Sequence, residues 1–404
     1  MVRELKEINV LLVGIGGYGA NYVAALLPDT PDERLHGIKV AGIVDPFPEN
    51  SALISRIIER DIPIHSTLES FYEKNQADLA VISSPIHFHV EQILFCLSKG
   101  SNILCEKPLC ADYRDGLRLL EAERASGKMV GVGFQLSYAN AVQEMKQDIA
   151  SGLFGKPLQF KALLCLPRGE QYYHRNSWAG KIRTDDGRLV LDSPVNNSCA
   201  HQLHNMLYIL GQARETSANP VSLTAELYRA CPYIENYDTA ALRCITADGV
   251  EILFYTTLAS HGKIKYGPIS QYRFEKAVIF HDQGDDENFW ARFNDGTTKY
   301  YSETPKSDRL QKLWDAIKAV RGGKKMACGI SASIPHLLCV NAAQESMPEI
   351  GSFPESLLKA EGQPGDSKVY VLGIEANLLD CFNEAKLPNE LGVSWSKPGK
   401  KLEL

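Results

Sequence analysis

Ile8-Asn9-Val10-Leu11-Leu12-Val13-Gly14-Ile15-Gly16-Gly17-Tyr18-Gly19 is the stretch on which the fold turns. Its first six residues are mostly branched and apolar, the pattern of a strand buried on both faces. Ala20 to Leu27 then reads as a helix. Between them lies G-x-G-x-x-G, a weak pattern by itself that acquires meaning from the strand before it and the helix after it. Gly14 permits the tight turn, Gly16 lacks the Cβ that would keep a pyrophosphate off the backbone, and Gly19 lets the helix pack on the strand. The helix N-terminus offers unpaired N–H groups to phosphate oxygens. Gly14, Gly16, Gly17, Tyr18 and Gly19 therefore form the candidate phosphate cradle, with a ligand-free strand–helix turn as the competing reading.

Outward from this turn the chain alternates strand and helix. Further strands are expected at Ile38 to Val44, Leu79 to Ile82, Asn102 to Cys105 and Val130 to Phe134, with helices at Ser51 to Arg60, Val90 to Ser98 and Tyr113 to Ser126. That spacing implies right-handed crossovers and an α/β, doubly wound parallel sheet. Asp45 ends the second strand, where a carboxylate can accept both ribose hydroxyls of a dinucleotide and repel a 2′-phosphate. Pro46 and Phe47 add no cation to attract one, so NAD is expected rather than NADP. An Asp that merely starts a turn with Pro46 fits the same position.

Beyond Gln135 the texture changes. A helix is expected at Ala141 to Ala150, a strand at Leu158 to Leu166, a polar, aromatic loop from Pro167 to Arg188, and a helix at Ser198 to Leu210. Strands at Val221 to Arg229, Thr239 to Thr246, Val250 to Leu258 and Tyr272 to Phe280 follow without helices between them, which suggests an antiparallel sheet. Helices are expected again at Ser307 to Val320, Ser331 to Ser346 and Val369 to Ala385, and the Lys-rich end from Ser396 reads as a mobile tail. The layout is a Rossmann-type domain at 1–134 followed by an α+β domain at 135–404.

The chain has 404 residues, 44% hydrophobic and 23% charged, which is ordinary globular usage and excludes a disordered or fibrous protein. Its net charge of −6, with no long Lys/Arg run, argues against nucleic acid or an anionic membrane as partner. No transmembrane or secretion segment is visible, so a cytoplasmic protein is expected. Ten cysteines are scattered with no C-x-x-C pair and no zinc spacing, so they read as free thiols of a reducing compartment, and no metal site is expected.

Glu106-Lys107-Pro108 follows the Asn102 to Cys105 strand, at the strand end where ligands bind in open α/β sheets. A Lys there can hydrogen-bond a substrate hydroxyl and stabilise alkoxide character. Ser83-Ser84-Pro85, then His89, then Glu106-Lys107-Pro108, all after a dinucleotide cradle and before an Asn/His-bearing helix, resemble the Gfo/Idh/MocA family (glucose–fructose oxidoreductase, inositol dehydrogenase and MocA). The resemblance runs from Ile8 to about Ala385 and is specific up to about residue 140 and around 190–211. It implies NAD(P) binding in the first domain and, in the second, a largely antiparallel, open-faced sheet that mediates homodimers or homotetramers. The activity it implies is reversible oxidation of a secondary hydroxyl on a sugar or cyclitol. Carried onto this sequence, Ser84, Pro85 and His89 border the nicotinamide side, Glu106 positions the nicotinamide half, Lys107 reaches the reacting hydroxyl, and Gly133, Phe134 and Gln135 line the crossing between domains. His87 and His89 fit equally well as caps of the helix starting nearby.

The family's second-domain helix commonly carries Asp-x-Gly-x-His-x-x-Asp. The matching stretch here is Asn197-Ser198-Cys199-Ala200-His201-Gln202-Leu203-His204, so His201 keeps its place while Asn197 and His204 replace the acids. Asn197 and His201 are four apart and neighbours if both are helical. His201 is then the candidate general base, Asn197 a hydrogen-bonding group without a proton to take, and His204 a partner that orients His201 or faces the core. An H-x-x-H pair without a third ligand makes a poor metal site. In the loop, aromatic rings suit the apolar faces of pyranoses while Arg and Asn suit hydroxyls, which singles out Arg168, Tyr172, Tyr173, Arg175, Asn176 and Trp178. Tyr138 and His336 are further pocket candidates by placement in the family. Two alternatives stay open: an NAD-retaining glycosidase acting through a transient keto sugar, and a catalytically inactive cofactor-binding sensor.

Overall fold

A run of apolar residues at Ile8–Val13 becomes β1, the innermost strand of a six-stranded parallel sheet. Being central, it is covered on both faces, so it needs a continuous apolar run rather than alternation. The remaining strands are β2 (Ile38–Val44), β3 (Ile64–His65), β4 (Leu79–Ile82), β5 (Asn102–Cys105) and β6 (Val130–Val132), in the order β3-β2-β1-β4-β5-β6. Helices α1 (Gly19–Leu26), α2 (Ile54–Glu59), α3 (Leu68–Tyr72), α4 (His89–Ser98) and α5 (Tyr113–Ser126) join them. This order reverses between β1 and β4, and the carboxyl ends of those two strands form the switch point at which such sheets bind dinucleotides. The two-residue strand β3 and the five-residue helix α3 were too short to stand out in the sequence.

This is a computed structural model of the 404-residue chain, and it describes residues 7–262, 267–282, 286–301, 309–323 and 325–404. The chain forms two units. The first takes in the described residues of Met1–Cys110, Arg114–Tyr138 and Lys306–Ser333; the second those of Ala111–Tyr113, Ala139–Pro305 and Ile334–Leu404. The sequence division at 134/135 gives one crossing, whereas the structure returns a late segment to the first unit.

The second unit holds α6 (Asn140–Ala150), β7 (Pro157–Cys165), a one-turn helix α7 (Glu170–Tyr173) inside the expected loop, and α8 (Ala200–Ile209). Its sheet continues with β8 (Pro220–Arg229), β9 (Thr239–Thr246), β10 (Glu251–Thr257), β11 (Ile269–Phe274), β12 (Ala277–Asp282), β13 (Asp286–Phe293) and β14 (Thr298–Tyr300). Helix α9 (Gln311–Val320) belongs to the first unit; the expected start of this helix at Ser307 lies outside the described residues. The second unit then resumes with α10 (Ile330–Ser346), whose first residues still count with the first unit, β15 (Gly351–Ser352), β16 (Leu358–Glu361), β17 (Lys368–Val371), α11 (Ile374–Glu384) and β18 (Leu402–Glu403).

The large sheet runs β14-β13-β12-β11-β7-β10-β9-β8-β15, with β18 added to β8. Among its pairs only β7 with β10 and β8 with β15 are parallel, so the sheet is largely antiparallel. The expected single strand over Tyr272 to Phe280 is a hairpin. Glu275 and Lys276 break the alternation, and their amides donate to Lys156 O and Phe154 O, which fixes the corner. The expected helix over Val369 to Ala385 begins as strand β17, because Lys368–Val371 pairs with β16; Gly373, at φ 76°, separates it from α11. The Lys-rich end is no mobile tail: Leu402 and Glu403 pair with Leu223 and Ser222, and Lys400 N donates to Ser346 O.

Candidate active site

The glycine turn follows β1 at the switch point. Gly14 has φ 80°, and a Cβ there would stand 2.9 Å from Ser84 N, so the turn after β4 backs the turn after β1. A Cβ on Gly19 would meet Gly14 O at 2.3 Å, whereas one on Gly16 would meet nothing within 4 Å. The backbone at Gly16 is thus open to an incoming group, and the packing at Gly19 is closed. Asp45 flanks the turn, its carboxylate accepting from Ile15 N and Phe47 N, both at 2.9 Å. The buried Tyr18 hydroxyl has no hydrogen-bond partner among the described residues. A buried hydroxyl left unsatisfied is costly. Open space over Gly16, a carboxylate at the flank of the turn and an orphaned hydroxyl on Tyr18 fit a dinucleotide.

Ser84 Oγ donates to Gln92 Oε1 at 2.5 Å, and Pro85 leads into a short turn over Ile86–Phe88. His89 opens α4 and is buried between two turns. Its Nδ1 lies 2.9 Å from Pro108 O and its Nε2 2.8 Å from Ser84 O, so it ties the turn after β4 to the turn after β5. Burial lowers its pKa, with the two carbonyls pulling the other way. His89 thus fastens the two turns that were expected to border the nicotinamide side of the cofactor.

Glu106 is likewise an internal group. It accepts from Tyr22 Oη at 2.5 Å and forms an ion pair with Lys312 on α9, whose Nζ also donates to Gly133 O at 3.2 Å. The Lys312 side chain is 1% exposed, and its ammonium stands 4.5 Å from the Tyr18 ring centroid. Burial, then the Glu106 charge, holds the Tyr22 phenol well above its usual pKa. Glu106 therefore acts through the local frame rather than by reaching outward, and Lys312 is a residue that sequence reasoning missed. Lys107, half-buried, comes next, its amide donating to Glu106 Oε2 at 3.2 Å, and the Lys107–Pro108 peptide is cis. Gln135 is half-buried in a short turn over Gln135–Tyr138. Tyr138, expected as a substrate contact, packs in the core: it is 3% exposed, and its hydroxyl lies 2.9 and 2.8 Å from the carbonyls of Val132 and Cys328.

In the second unit the loop candidates gather beside the start of α8. The Arg175 and Arg168 guanidinium carbons stand 3.8 and 4.7 Å from the Tyr172 ring centroid, and Arg175 also lies 5.4 Å from the Trp178 ring. Tyr173 is buried, edge-on to Tyr172 and Tyr233. Asn176 is turned inward on its own loop, its oxygen accepting from Trp178 N and Ala179 N. Asn197 donates to Asp192 Oδ1 at 2.7 Å; Asp192 Oδ2 accepts from Gly180 N at 2.7 Å and lies 3.8 Å from Arg175. Asp192 is 3% exposed and was also missed in the sequence. A widened turn over Pro194–Ser198 takes up the residues between it and α8. The carboxylate absent at position 197 is thus supplied from five residues earlier, and Asp-Ser-Pro before an Asn pair was the available signal.

His201, half-buried, opens α8 four residues after Asn197. His204, expected to orient His201 or face the core, and His336, expected at the pocket, both lie in the core. Both are fully buried; the His204 ring stacks on Tyr208 and meets His336 edge-on, and His336 Nε2 lies 3.0 Å from Val195 O. Burial, reinforced by His336 and His201, keeps the His204 pKa well below its usual value. Among the described residues no three His, Cys, Asp or Glu side chains gather as a metal ion would need.

The strand order and the glycine turn define a dinucleotide-binding domain of the Rossmann class. The sequence model of the Gfo/Idh/MocA oxidoreductases, a family with an NAD-binding Rossmann fold, matches residues 8–134. The match is confined to the N-terminal part of the chain, and it is this domain that is similar to the Gfo/Idh/MocA family. Inositol 2-dehydrogenase of Rhodococcus jostii (strain RHA1) is 30% identical over 154 residues, which is 38% of this chain and 40% of that protein. Inositol 2-dehydrogenase 2 of Mycolicibacterium vanbaalenii is 25% identical over 257 residues, 63% of this chain and 68% of that one. The chain spans about half the length of the first curated relatives it matches. Among solved structures, WlbA dehydrogenase from Bordetella pertussis, in complex with NADH and UDP-GlcNAcA, superposes with TM-score 0.69 at 19% identity, covering 84% of this chain and 96% of that one. Levoglucosan dehydrogenase, in complex with NADH and levoglucosan, does so with TM-score 0.68 at 16% identity, covering 85% and 98%. At such identities the likeness is one of fold. Among the described residues no helix is long and apolar enough to cross a membrane.

Proposed function

We propose that this protein is an NAD-dependent dehydrogenase acting on a secondary hydroxyl of a sugar, sugar derivative or cyclitol. The observation that carries the reading is the turn after β1: open at Gly16, flanked by the Asp45 carboxylate, in the same unit as Lys107 at the end of β5. NAD, when bound, would supply a hydride acceptor for the oxidation of the carbinol carbon. Asp45 accepts from the ribose hydroxyls and favours NAD over NADP. Lys107 donates to the reacting oxygen and stabilises its developing negative charge, and His201 takes the hydroxyl proton. Asp192, through Asn197, positions the start of α8.

Ten buried free thiols support a reducing, cytoplasmic setting. Self-association is supported by a ladder of stacked rings on the second sheet, Phe280 on Trp290 and Trp290 on Tyr300, the last 64% exposed; light scattering that gives a monomer removes that part. The main test is a panel of sugars and cyclitols with NAD and with NADP, read at the reduced-nicotinamide absorbance band. Lys107→Ala is expected to abolish turnover while leaving NAD binding nearly intact. Near-normal kcat in that variant removes Lys107 from the mechanism, and inactivity of the wild type across the panel with NAD bound removes the dehydrogenase reading.

A further inference from the structure

We propose that the Tyr18 ring is the seat of the nicotinamide, and that the Lys312 ammonium set over that ring biases the seat towards the reduced, uncharged form of the cofactor. The proposal deepens the dehydrogenase reading and rests on it for the dinucleotide. In that reading Asp45, on the β2 side of the glycine turn, holds the adenosine end. The other end then runs from Gly16 towards β4 and β5, across the point where the strand order reverses. Tyr18 stands just before Gly19, and its ring reaches the same way. The Lys312 ammonium lies 4.5 Å from the ring centroid and also donates to Glu106 and to Gly133 O, which follow β5 and β6. The ring is thus on the side of the cradle that leads to Lys107, whose amide donates to the same Glu106 carboxylate. Tyr18 is half-buried, yet its hydroxyl is closed off without a hydrogen-bond partner among the described residues. A flat ring partly open beside a phosphate cradle suits a second flat ring, and the carboxamide of nicotinamide offers a donor and an acceptor to such a hydroxyl.

The charges around this ring are Lys312, Glu106 and Lys107. Lys312 and Glu106 balance as a pair, but the ammonium is the member set on the Tyr18 ring. The carboxylate accepts from Lys312, from Tyr22 Oη and from the Lys107 amide. A ring whose π-electrons already answer one cation attracts a second less well. Oxidised nicotinamide carries a positive charge and reduced nicotinamide carries none. Lys312 therefore opposes the oxidised form and is indifferent to the reduced one. It touches neither itself and acts through the Tyr18 ring, as a positioning residue. Lys107 has the same sign and is kept in every variant below.

The test is calorimetric titration of the full-length protein with oxidised NAD, with NADH and with ADP-ribose, which lacks the nicotinamide. Tyr18→Leu is expected to weaken both NAD forms by about three- to tenfold, the worth of one ring contact, and to leave ADP-ribose unchanged. Lys312→Met is expected to raise the affinity for oxidised NAD relative to NADH by about tenfold, the scale of a buried unit charge acting across one ring. A merely structural lesion weakens all three ligands together and leaves that ratio where it was. If Lys312→Met does not fold, the double variant with Glu106→Gln strands no charge and carries the same comparison, with a shift of at least about threefold in the same direction. An ADP-ribose loss equal to that of NADH, or no loss in a folded Tyr18→Leu, removes the ring as the seat. An unchanged ratio in the lysine variants removes the bias. Either result overturns the proposal and leaves the dehydrogenase reading standing, whereas a wild type that binds none of the three ligands refutes both.

Discussion

Replacing Lys312 by Met should strand a negative charge inside the first unit. Lys312 Nζ sits among Glu106, Gly133 O and the rings of Tyr18 and Tyr22, with its side chain 1% exposed. Met keeps the length and apolar stem of Lys, so the variant removes the charge and its hydrogen bonds while nearly conserving volume. Glu106 then retains the Tyr22 hydroxyl and the Lys107 amide but loses the Lys312 counter-charge. Deleting one member of a buried pair typically costs about 3–5 kcal/mol. For a unit of roughly 150–250 residues that corresponds to a fall in Tm of about 6–20 °C. Thermal unfolding of the wild type, Lys312→Met, Glu106→Gln and the double variant forms a double-mutant cycle. The double variant should recover at least half of the loss, because neither charge remains. A Lys312→Met protein within about 1 kcal/mol of the wild type, or losses that simply add in the double variant, would refute the coupling.

Gly16→Ala and Gly19→Ala should part company. Gly16→Ala is expected to melt with the wild type yet bind NAD at least about tenfold more weakly, because its methyl occupies only the open space meant for phosphate. Gly19→Ala should lower Tm as well, since its Cβ would overlap Gly14 O; equal melting of the two variants contradicts this division. Glu226, on β8, has its pKa raised by burial from 4.5 to about 7. The folded state therefore holds that proton more tightly than the unfolded chain, and the stability so gained is present below pH 4.5 and lost as pH rises towards 7. Glu226→Gln should gain on the wild type between pH 5 and pH 8 by up to about 3 kcal/mol in urea melts, and a pH-independent difference rules the effect out. Asp192→Ala leaves Asn197 Nδ2, Gly180 N and Arg175 without their acceptor. Its kcat should fall by about tenfold or more with NAD affinity unchanged, and unaltered steady-state kinetics would free Asp192 of any role.

The readable parts of this molecule are those whose physics is local. A buried central strand needs an apolar run, and a tight turn against a helix needs glycine at set positions, so β1 to α1 is written in adjacent residues. The same holds for the antiparallel core strands, whose alternation is their own. What stayed hidden depends on partners far along the chain. Lys312 looks like any charge on an amphipathic helix until it meets Glu106, 206 residues away. Lys368–Val371 has a helical neighbour in sequence and a strand partner in space, and β16 prevails. The aromatic and histidine candidates divide by the same rule. Placement in the family singled out Tyr138 and His336, and the family's helix motif His204, and only the packing around them shows that they are enclosed. Asp192 escaped notice because the stretch before α8 carries extra residues that shift the carboxylate out of the expected position.

The return of α9 to the first unit orders the events of synthesis. A growing chain emerges from the ribosome N-terminus first, and domains ordinarily fold in that order. Here Glu106 is released early, but the lysine that neutralises it lies at position 312, beyond most of the second unit. The nucleotide-binding half cannot mature at its own turn; it has to wait, holding a carboxylate without its Lys312 partner, until the chain has been made through residue 312. Cofactor capture by a nascent chain would thus report that translation has passed that lysine, and shortened products ending before it would be poor at it.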